Sequence, residues 1–382
     1  MAKNERTFVG LYCGPSADGI DAAVVGVRGK GDRMRVEQRH VVHRALPADL
    51  RKQIRATAGG WSAPVADLAR LDRKVGGVLA DSCLVLLRGA SVPRRHVEAV
   101  GVIGPAAAYV RPTPSAGIGS VVELGAPATV ARAAGRPVVA GFAESDLAAG
   151  GVGGPVTAWP DWLLFRDERL SRVVVQLGAL ASMTFVGSAA AACEVVAYDV
   201  GPGTVLIDAF TRELYDKEFD EDGALAARGE VHDLLLNELS GGEYFQREPP
   251  KRSCGKEWSS PAVQRVEMMA GKHRCRARDL IATLTELTAR TVAGNVLKMT
   301  ERPHEVILVG GGAKNIHLAG RIRTLLSPCS TYAAERYGLD LRAHGAVCAA
   351  VLAAARLDGF SAHCPAATGA GDATVLGAVW GR

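Results

Sequence analysis

The chain has 382 residues, too many for one ordinary core and enough for two domains that each bury an apolar centre. Its composition, 48% hydrophobic and 22% charged, excludes a mainly disordered chain, and 44 glycines imply many tight turns. A formal charge of +5 is mild. The local basic cluster, Lys251, Arg252, Lys256, Lys272, Arg274, Arg276 and Arg278, reads as a solvated face, so nucleic acid is not an expected partner.

From the N-terminus, Thr7 to Cys13 predicts a strand, a glycine-containing turn follows, and Ile20 to Val27 and Met34 to Val42 predict two more. The histidines of the third strand, His40 and His43, read as a surface pair on one side. Apolar residues at three- and four-residue steps predict a helix over Pro64 to Leu87. Trp159 and Trp162 are expected in a turn, packed between two lobes. The opening succession then returns: Arg172 to Leu177, a turn at Gly178, Ser182 to Val186, a small-residue turn, and Cys193 to Asp199 ending at Gly201-Pro202-Gly203. This is a repeated plan rather than a repeated sequence. Helices are predicted over Arg278 to Lys298 and Arg342 to Leu357, with a strand at Glu305 to Val309 between them. Strand groups followed by helices in both halves predict an α/β protein of two related lobes with a central cleft, divided into residues 1–170 and 171–382.

The eight cysteines (Cys13, Cys83, Cys193, Cys254, Cys275, Cys329, Cys348, Cys364) contain no C-x-x-C pair, which argues for reduced structural thiols and against a zinc knuckle. The polar start, Met1 to Arg6, lacks an export signal, and the apolar run Gly345 to Ala355 is too short to span a bilayer. A cytoplasmic protein without membrane contact is expected.

Three loops can carry chemistry. Cys13-Gly14-Pro15-Ser16-Ala17-Asp18-Gly19-Ile20-Asp21 joins two strands with small residues, so that backbone N–H groups can face phosphate while a carboxylate holds a metal; it also suits a plain hairpin. Asp199-Val200-Gly201-Pro202-Gly203 ends a strand with a carboxylate able to serve as general base, although turn chemistry alone explains the same residues. Gly310-Gly311-Gly312-Ala313-Lys314-Asn315 lies between a strand and a helix, as nucleotide loops do, without the G-x-G-x-x-G spacing of a dinucleotide site.

In this order the loops resemble signatures of the anhydro-N-acetylmuramic acid kinases: the first is similar to S-G-T-S-x-D-G-x-D, the second to F-D-x-G-P-G-N, the third to G-G-G-A-x-N. Asp146-Leu147-Ala148-Ala149-Gly150-Gly151 resembles D-x-A-A-G-G. Pro249-Pro250-Lys251 with Ser253, Gly255 and Glu257 resembles P-P-K-S-T-G-R-E, and Thr368-Gly369-Ala370 resembles the family's C-terminal end. The resemblance implies an actin/hexokinase/Hsp70-type fold and an ATP- and Mg2+-dependent enzyme of cell-wall recycling, which opens the 1,6-anhydro ring of the sugar and phosphorylates O6. It implies that Asp199 is the base, that Gly14, Pro15, Ser16, Ala17, Asp18, Gly19, Ile20 and Asp21 cradle phosphates with Asp18 at the metal, and that Gly201, Gly203, Gly310, Gly311, Gly312 and Asn315 complete the nucleotide side. Gly104, Asp146 and His344 fall at substrate positions. The expected partners are ATP and a small sugar, with a homodimer as the expected assembly.

The departures cluster on the sugar side. The family's H-G-Q-T is Ile103-Gly104-Pro105-Ala106, its D-F-R-x-x-D is Gly141-Phe142-Ala143-Glu144-Ser145-Asp146, its late-helix Glu is His344, and a Thr of the first loop is Pro15. Three readings therefore stand: an anhydromuramic acid kinase or a relative acting on another small sugar, a non-catalytic paralogue that binds nucleotide or a cell-wall sugar as sensor or scaffold, and a structural interaction protein without nucleotide, suggested by Pro15 in the first loop.

Overall fold

A computed structural model describes residues 5–381 apart from 61, 114–116, 118, 254 and 300. Its strands, in chain order, are β1 (Arg6–Tyr12), β2 (Gly19–Arg28), β3 (Arg35–Ala45), β4 (Val97–Ile103), β5 (Ala106–Val110), β6 (Ser120–Glu123), β7 (Val138–Ala140), β8 (Arg172–Leu177), β9 (Leu180–Val186), β10 (Val196–Pro202), β11 (Glu305–Val309), β12 (Ser330–Ala333) and β13 (Ala378–Trp380). One sheet has the order β13-β7-β4-β1-β2-β3, the other β10-β9-β8-β11-β12. Without its edge strand β13, the first sheet repeats the second: an antiparallel three-strand meander, then two parallel strands beside the meander's first member. The repeat expected from the sequence is thus a repeat of topology, and it gives the two-lobed actin/hexokinase-type arrangement.

Burial follows strand position. The central β1 is apolar on both faces, whereas the edge strand β3 alternates between exposed and partly buried residues. Helix Val65–Gly89 covers one face of the first sheet with Leu71, Val75, Leu79, Cys83 and Leu86. The other face receives helix His344–Leu357, which is almost wholly buried. Its small residues, Ala346, Ala349 and Ala350, approach so closely that a Cβ added at Gly10 of β1 would stand 1.7 Å from the Ala346 carbonyl oxygen, and one at Gly101 of β4 1.9 Å from that of Ala349. The C-terminal segment therefore returns to the first sheet: this helix packs there, and β13 extends its edge beside β7. The second sheet is covered on one face by helices Ala277–Leu297 and Ile316–Leu326.

Helix Ala158–Phe165 lies between the lobes with Trp159 and Trp162 buried, so the segment expected as a turn is helical. His40 and His43, three positions apart on a strand, take separate surroundings: His40 lies beside Gly89 and His43 beside Asp21. Seven cysteines are free thiols, and Cys254 lies outside the described residues. Among the described residues, no helix is long and apolar enough to cross a membrane.

Candidate active site

The principal cavity, about 940 Å³, lies between the lobes and collects all three loops. Gly14, Pro15, Ser16, Asp18 and Asp21 line it from the first hairpin, and Gly310, Gly311, Gly312, Lys314 and Asn315 from the strand–helix turn after β11. Asn315 caps the following helix by accepting a hydrogen bond from the Leu318 N–H at 2.9 Å. Gly310 has φ +89°, and a Cβ there would stand 2.5 Å from the Leu177 carbonyl oxygen, so this turn admits glycine on two counts. Ala17 and Ile20, placed in the phosphate loop by resemblance, turn into the core instead, and Gly19 packs on the Arg44 carbonyl. Gly201 and Gly203 also stay behind the wall: a Cβ at Gly203 would meet the Gly178 carbonyl oxygen at 2.1 Å, so its task is to let β10 cross the β8–β9 hairpin.

Asp199 sits at a bulge of β10, where pairing with β9 shifts register between Asp199 and Gly201. It is half-buried and lines the cleft. Its N–H donates to the Lys251 carbonyl at 3.1 Å, its Oδ2 accepts from the Ser253 N–H at 2.7 Å, and its own carbonyl accepts from the Tyr244 hydroxyl at 2.8 Å. Three bonds fix the backbone and one carboxylate oxygen, leaving the other oxygen for the cleft. Loss of solvent pushes its carboxyl up to about 6, against the pull of the Ser253 N–H, Arg252 and Lys251 and with the push of Glu257. Such a carboxylate is ionised near neutrality and basic enough to take a proton from water.

On the phosphate side, Asp18 Oδ1 accepts from the Ser16 hydroxyl at 2.5 Å and Oδ2 from Arg342 Nη2 at 2.5 Å. Arg342 Nε also reaches Asp21 Oδ1 at 3.4 Å, and His43 Nδ1 lies 2.7 Å from the same oxygen. Burial works against the charge on Asp18, but Ser16, Arg342 and His43 hold its carboxyl below the usual value. Asp208 moves the other way, to about 7: burial raises it and Asp18 adds to the rise, while the Thr204 hydroxyl, Arg212 and Arg55 oppose it. These hard oxygen donors suit a magnesium ion, which would relieve the mutual repulsion of Asp18 and Asp208. A metal bound at Asp18 Oδ2 has to displace the Arg342 guanidinium.

The remaining sugar-side residues separate. Gly104 lines the cleft, where a Cβ would stand 1.8 Å from the Leu124 carbonyl oxygen. His344 also lines it, with its ring 1% exposed and Nε2 2.6 Å from Asp161 Oδ1; Asp161 Oδ2 accepts from the Thr184 hydroxyl at 2.6 Å. Burial disfavours a charged ring, yet Cys348 and Asp161 hold this imidazole above its ordinary value. Asp146 is not in the cleft. It is fully buried beneath it, with Oδ1 2.6 Å from His363 Nε2 and Oδ2 accepting from the Gly153 N–H at 2.6 Å, and so it anchors the wall segment that carries Gly153, Gly154 and Pro155.

Sequence reasoning did not assign Arg342, Arg252, Asp161 or Glu123 to the site. Lys251 and Arg252, counted with a solvated basic face, depart from it. Lys251 is 5% exposed, with its ammonium 5.3 Å from the Tyr244 ring centroid, and Arg252 lines the cleft. The Pro249-Pro250-Lys251 motif beside them was the available signal.

Residues 6–382 match the family profile described as anhydro-N-acetylmuramic acid kinase. The chain belongs to the anhydro-N-acetylmuramic acid kinase family. Relatives bearing that description include one from Salinibacter ruber, 33% identical over 383 residues covering 99% of this chain and 96% of the relative. Another from Gloeobacter violaceus is 34% identical over 372 residues, covering 97% of each. Similar solved structures include the activator of 2-hydroxyisocaproyl-CoA dehydratase from Clostridium difficile (11% identity, TM-score 0.45, 91% of this chain and 94% of that one). A ROK family glucokinase from Streptomyces griseus in complex with glucose and AMPPNP is another (16% identity, TM-score 0.38, 91% and 98%).

Proposed function

We propose that this chain is a working anhydrosugar kinase of cell-wall recycling, using ATP and a magnesium ion to convert 1,6-anhydro-N-acetylmuramic acid to its 6-phosphate. The observation that carries this reading is the state of Asp199: fixed by three hydrogen bonds, open on one oxygen to the cleft, and raised to about 6. A residual Asp in a merely binding protein has no need of that combination.

The reaction asks for one proton acceptor and one phosphoryl acceptor in line. Asp199 takes a proton from water as the water oxygen bonds to the anomeric carbon. The bond from that carbon to O6 breaks, and its electron pair makes O6 the nucleophile toward the γ-phosphorus of ATP. The bond from the γ-phosphorus to the β-phosphate breaks and ADP leaves, so water, sugar and ATP yield the sugar 6-phosphate, ADP and one proton. Ser16, Asp18 and Asp21 face the phosphates, and Gly310 to Asn315 face the remainder of the nucleotide. Magnesium, held by Asp18 and Asp208, would supply charge neutralisation there.

The reading as a non-catalytic sensor draws on the loss of hydrogen-bonding groups at Ile103, Pro105 and Ala106, which leave that wall apolar. Release of ADP separates the two. Turnover that requires 1,6-anhydro-N-acetylmuramic acid and disappears in Asp199→Asn supports the kinase. ATP binding without sugar-dependent turnover overturns it in favour of the sensor.

A further inference from the structure

Arg252 is a half-buried cation on the sugar side of the cleft with no anion of its own. Its Nη1 donates to the Gly153 carbonyl at 2.5 Å, and its guanidinium carbon lies 4.7 Å from the centroid of the Tyr109 ring. Among the described residues, no carboxylate is within ion-pair distance of it. It is nevertheless felt by the two acids on that side, Asp199 and Glu123, both of which it pulls down. A guanidinium stripped of part of its water and given one neutral acceptor keeps most of its donor fork unused.

Its mounting is rigid. Ser253, the next residue, donates its N–H to Asp199, so the segment that carries Arg252 also holds the base. On the other side, the Gly153 carbonyl that receives Arg252 belongs to the residue whose N–H is held by buried Asp146, itself paired with His363. The guanidinium is thereby fixed between lobes with its carbon over the Tyr109 ring.

The same stretch of wall has lost a cation. Where the family's D-F-R motif carries arginine, this chain has Ala143, buried with Val121 and Leu147 in a small cluster against which Tyr109 packs. Arg252, which stands between Lys251 and Ser253 with no counterpart in the family's P-P-K-S run, reaches that Tyr109 from the facing segment.

We propose that Arg252 is the specificity residue of this cleft, pairing with the carboxylate of an acidic anhydrosugar and placing its anomeric carbon beside Asp199. This rests on the sugar-kinase reading and adds to it the residue that recognises the substrate's carboxylate. A bidentate guanidinium–carboxylate pair in a partly dehydrated wall is favourable and directional, and a neutral sugar of the same ring leaves the fork unused.

The test compares 1,6-anhydro-N-acetylmuramic acid with 1,6-anhydro-N-acetylglucosamine, which has the same ring without the carboxylate, in the unmodified protein, Arg252→Gln and Arg252→Lys. The ratio of kcat/KM for the acidic over the neutral sugar is expected to fall roughly 10- to 100-fold in Arg252→Gln, through KM, and to fall less in Arg252→Lys. An equal ratio in the unmodified protein and Arg252→Gln overturns the assignment, and so does equal loss of both substrates. If the unmodified protein turns over neither sugar, the kinase reading fails, and calorimetric binding of the two sugars decides this inference separately. Tighter binding of the acidic sugar that Arg252→Gln abolishes sustains it; no difference between the sugars overturns it.

Discussion

His344 Nε2 lies 2.6 Å from Asp161 Oδ1, with both side chains buried between the lobes and the second Asp161 oxygen held by Thr184. The pair satisfies a charge that neither residue could carry alone at that depth. Restoring the family's glutamate by His344→Glu therefore sets two carboxylates against each other and is expected to destabilise the fold by about 3–5 kcal/mol in urea unfolding. The exchanged pair Asp161→His with His344→Glu restores opposite charges and is expected to recover most of the loss. Equal stability of His344→Glu and the unmodified protein refutes the pairing.

Asp199 trades stability for basicity. Its folded carboxyl titrates near 6, above the ordinary unfolded value of about 3.9, so the native state holds the proton more tightly. The stability contributed by that proton is fully present below the unfolded value and is lost as pH rises through 6. Asp199→Asn removes the buried charge, and its thermal midpoint is expected to exceed that of the unmodified protein at pH 8 and to converge with it near pH 4. The sugar-dependent rate of the unmodified protein is expected to fall away below about pH 6. A rate that is flat down to pH 5 shows that Asp199 is not the base.

Arg342 and a divalent cation compete for Asp18. The guanidinium already occupies Oδ2 at 2.5 Å, so Arg342→Ala frees a carboxylate oxygen. Without nucleotide, Mn2+ titrated by paramagnetic resonance is expected to bind Arg342→Ala several-fold more tightly, and adding Asp18→Asn should remove the gain. Unchanged Mn2+ affinity in Arg342→Ala places the metal elsewhere.

Across the mouth of the cleft, Arg51 and Arg55 of helix Ala48–Ala58 meet Glu218 Oε2 at 3.2 and 3.1 Å, and Arg55 Nε also donates to the Ser16 carbonyl at 2.8 Å. The acid is 46% exposed, so Glu218→Ala is expected to change unfolding free energy by less than about 1 kcal/mol. Its effect should appear in shape, as a larger radius of gyration by small-angle scattering. A loss of several kcal/mol without change of shape contradicts a link between lobes.

Strands with clear apolar runs were legible in the sequence: β8 and β11 fall on the predicted residues, and β1 shifts by one. The glycine loops were legible as loops because few residues suit such turns. What escaped was partnership. A strand or helix announces itself within ten residues, whereas Arg342 with Asp18 is a pairing across 324 positions and His344 with Asp161 across 183. The basic cluster misled for the same reason, since exposure of Lys251 and Arg252 is decided by the wall of tyrosines that folds over them. Asp146 was read as touching substrate because its motif abuts the site, yet its carboxylate is used by His363 and Gly153.

Whether Asp199 drives water onto the anomeric carbon while O6 takes the phosphate is read from the fate of the water oxygen. The reaction is run in water carrying heavy oxygen, quenched within the first turnovers, and the products are weighed by mass spectrometry. One heavy oxygen is expected on the sugar carbon skeleton and none in the phosphate group of the product. Sugar phosphate without label, or label found only in free inorganic phosphate, would contradict it.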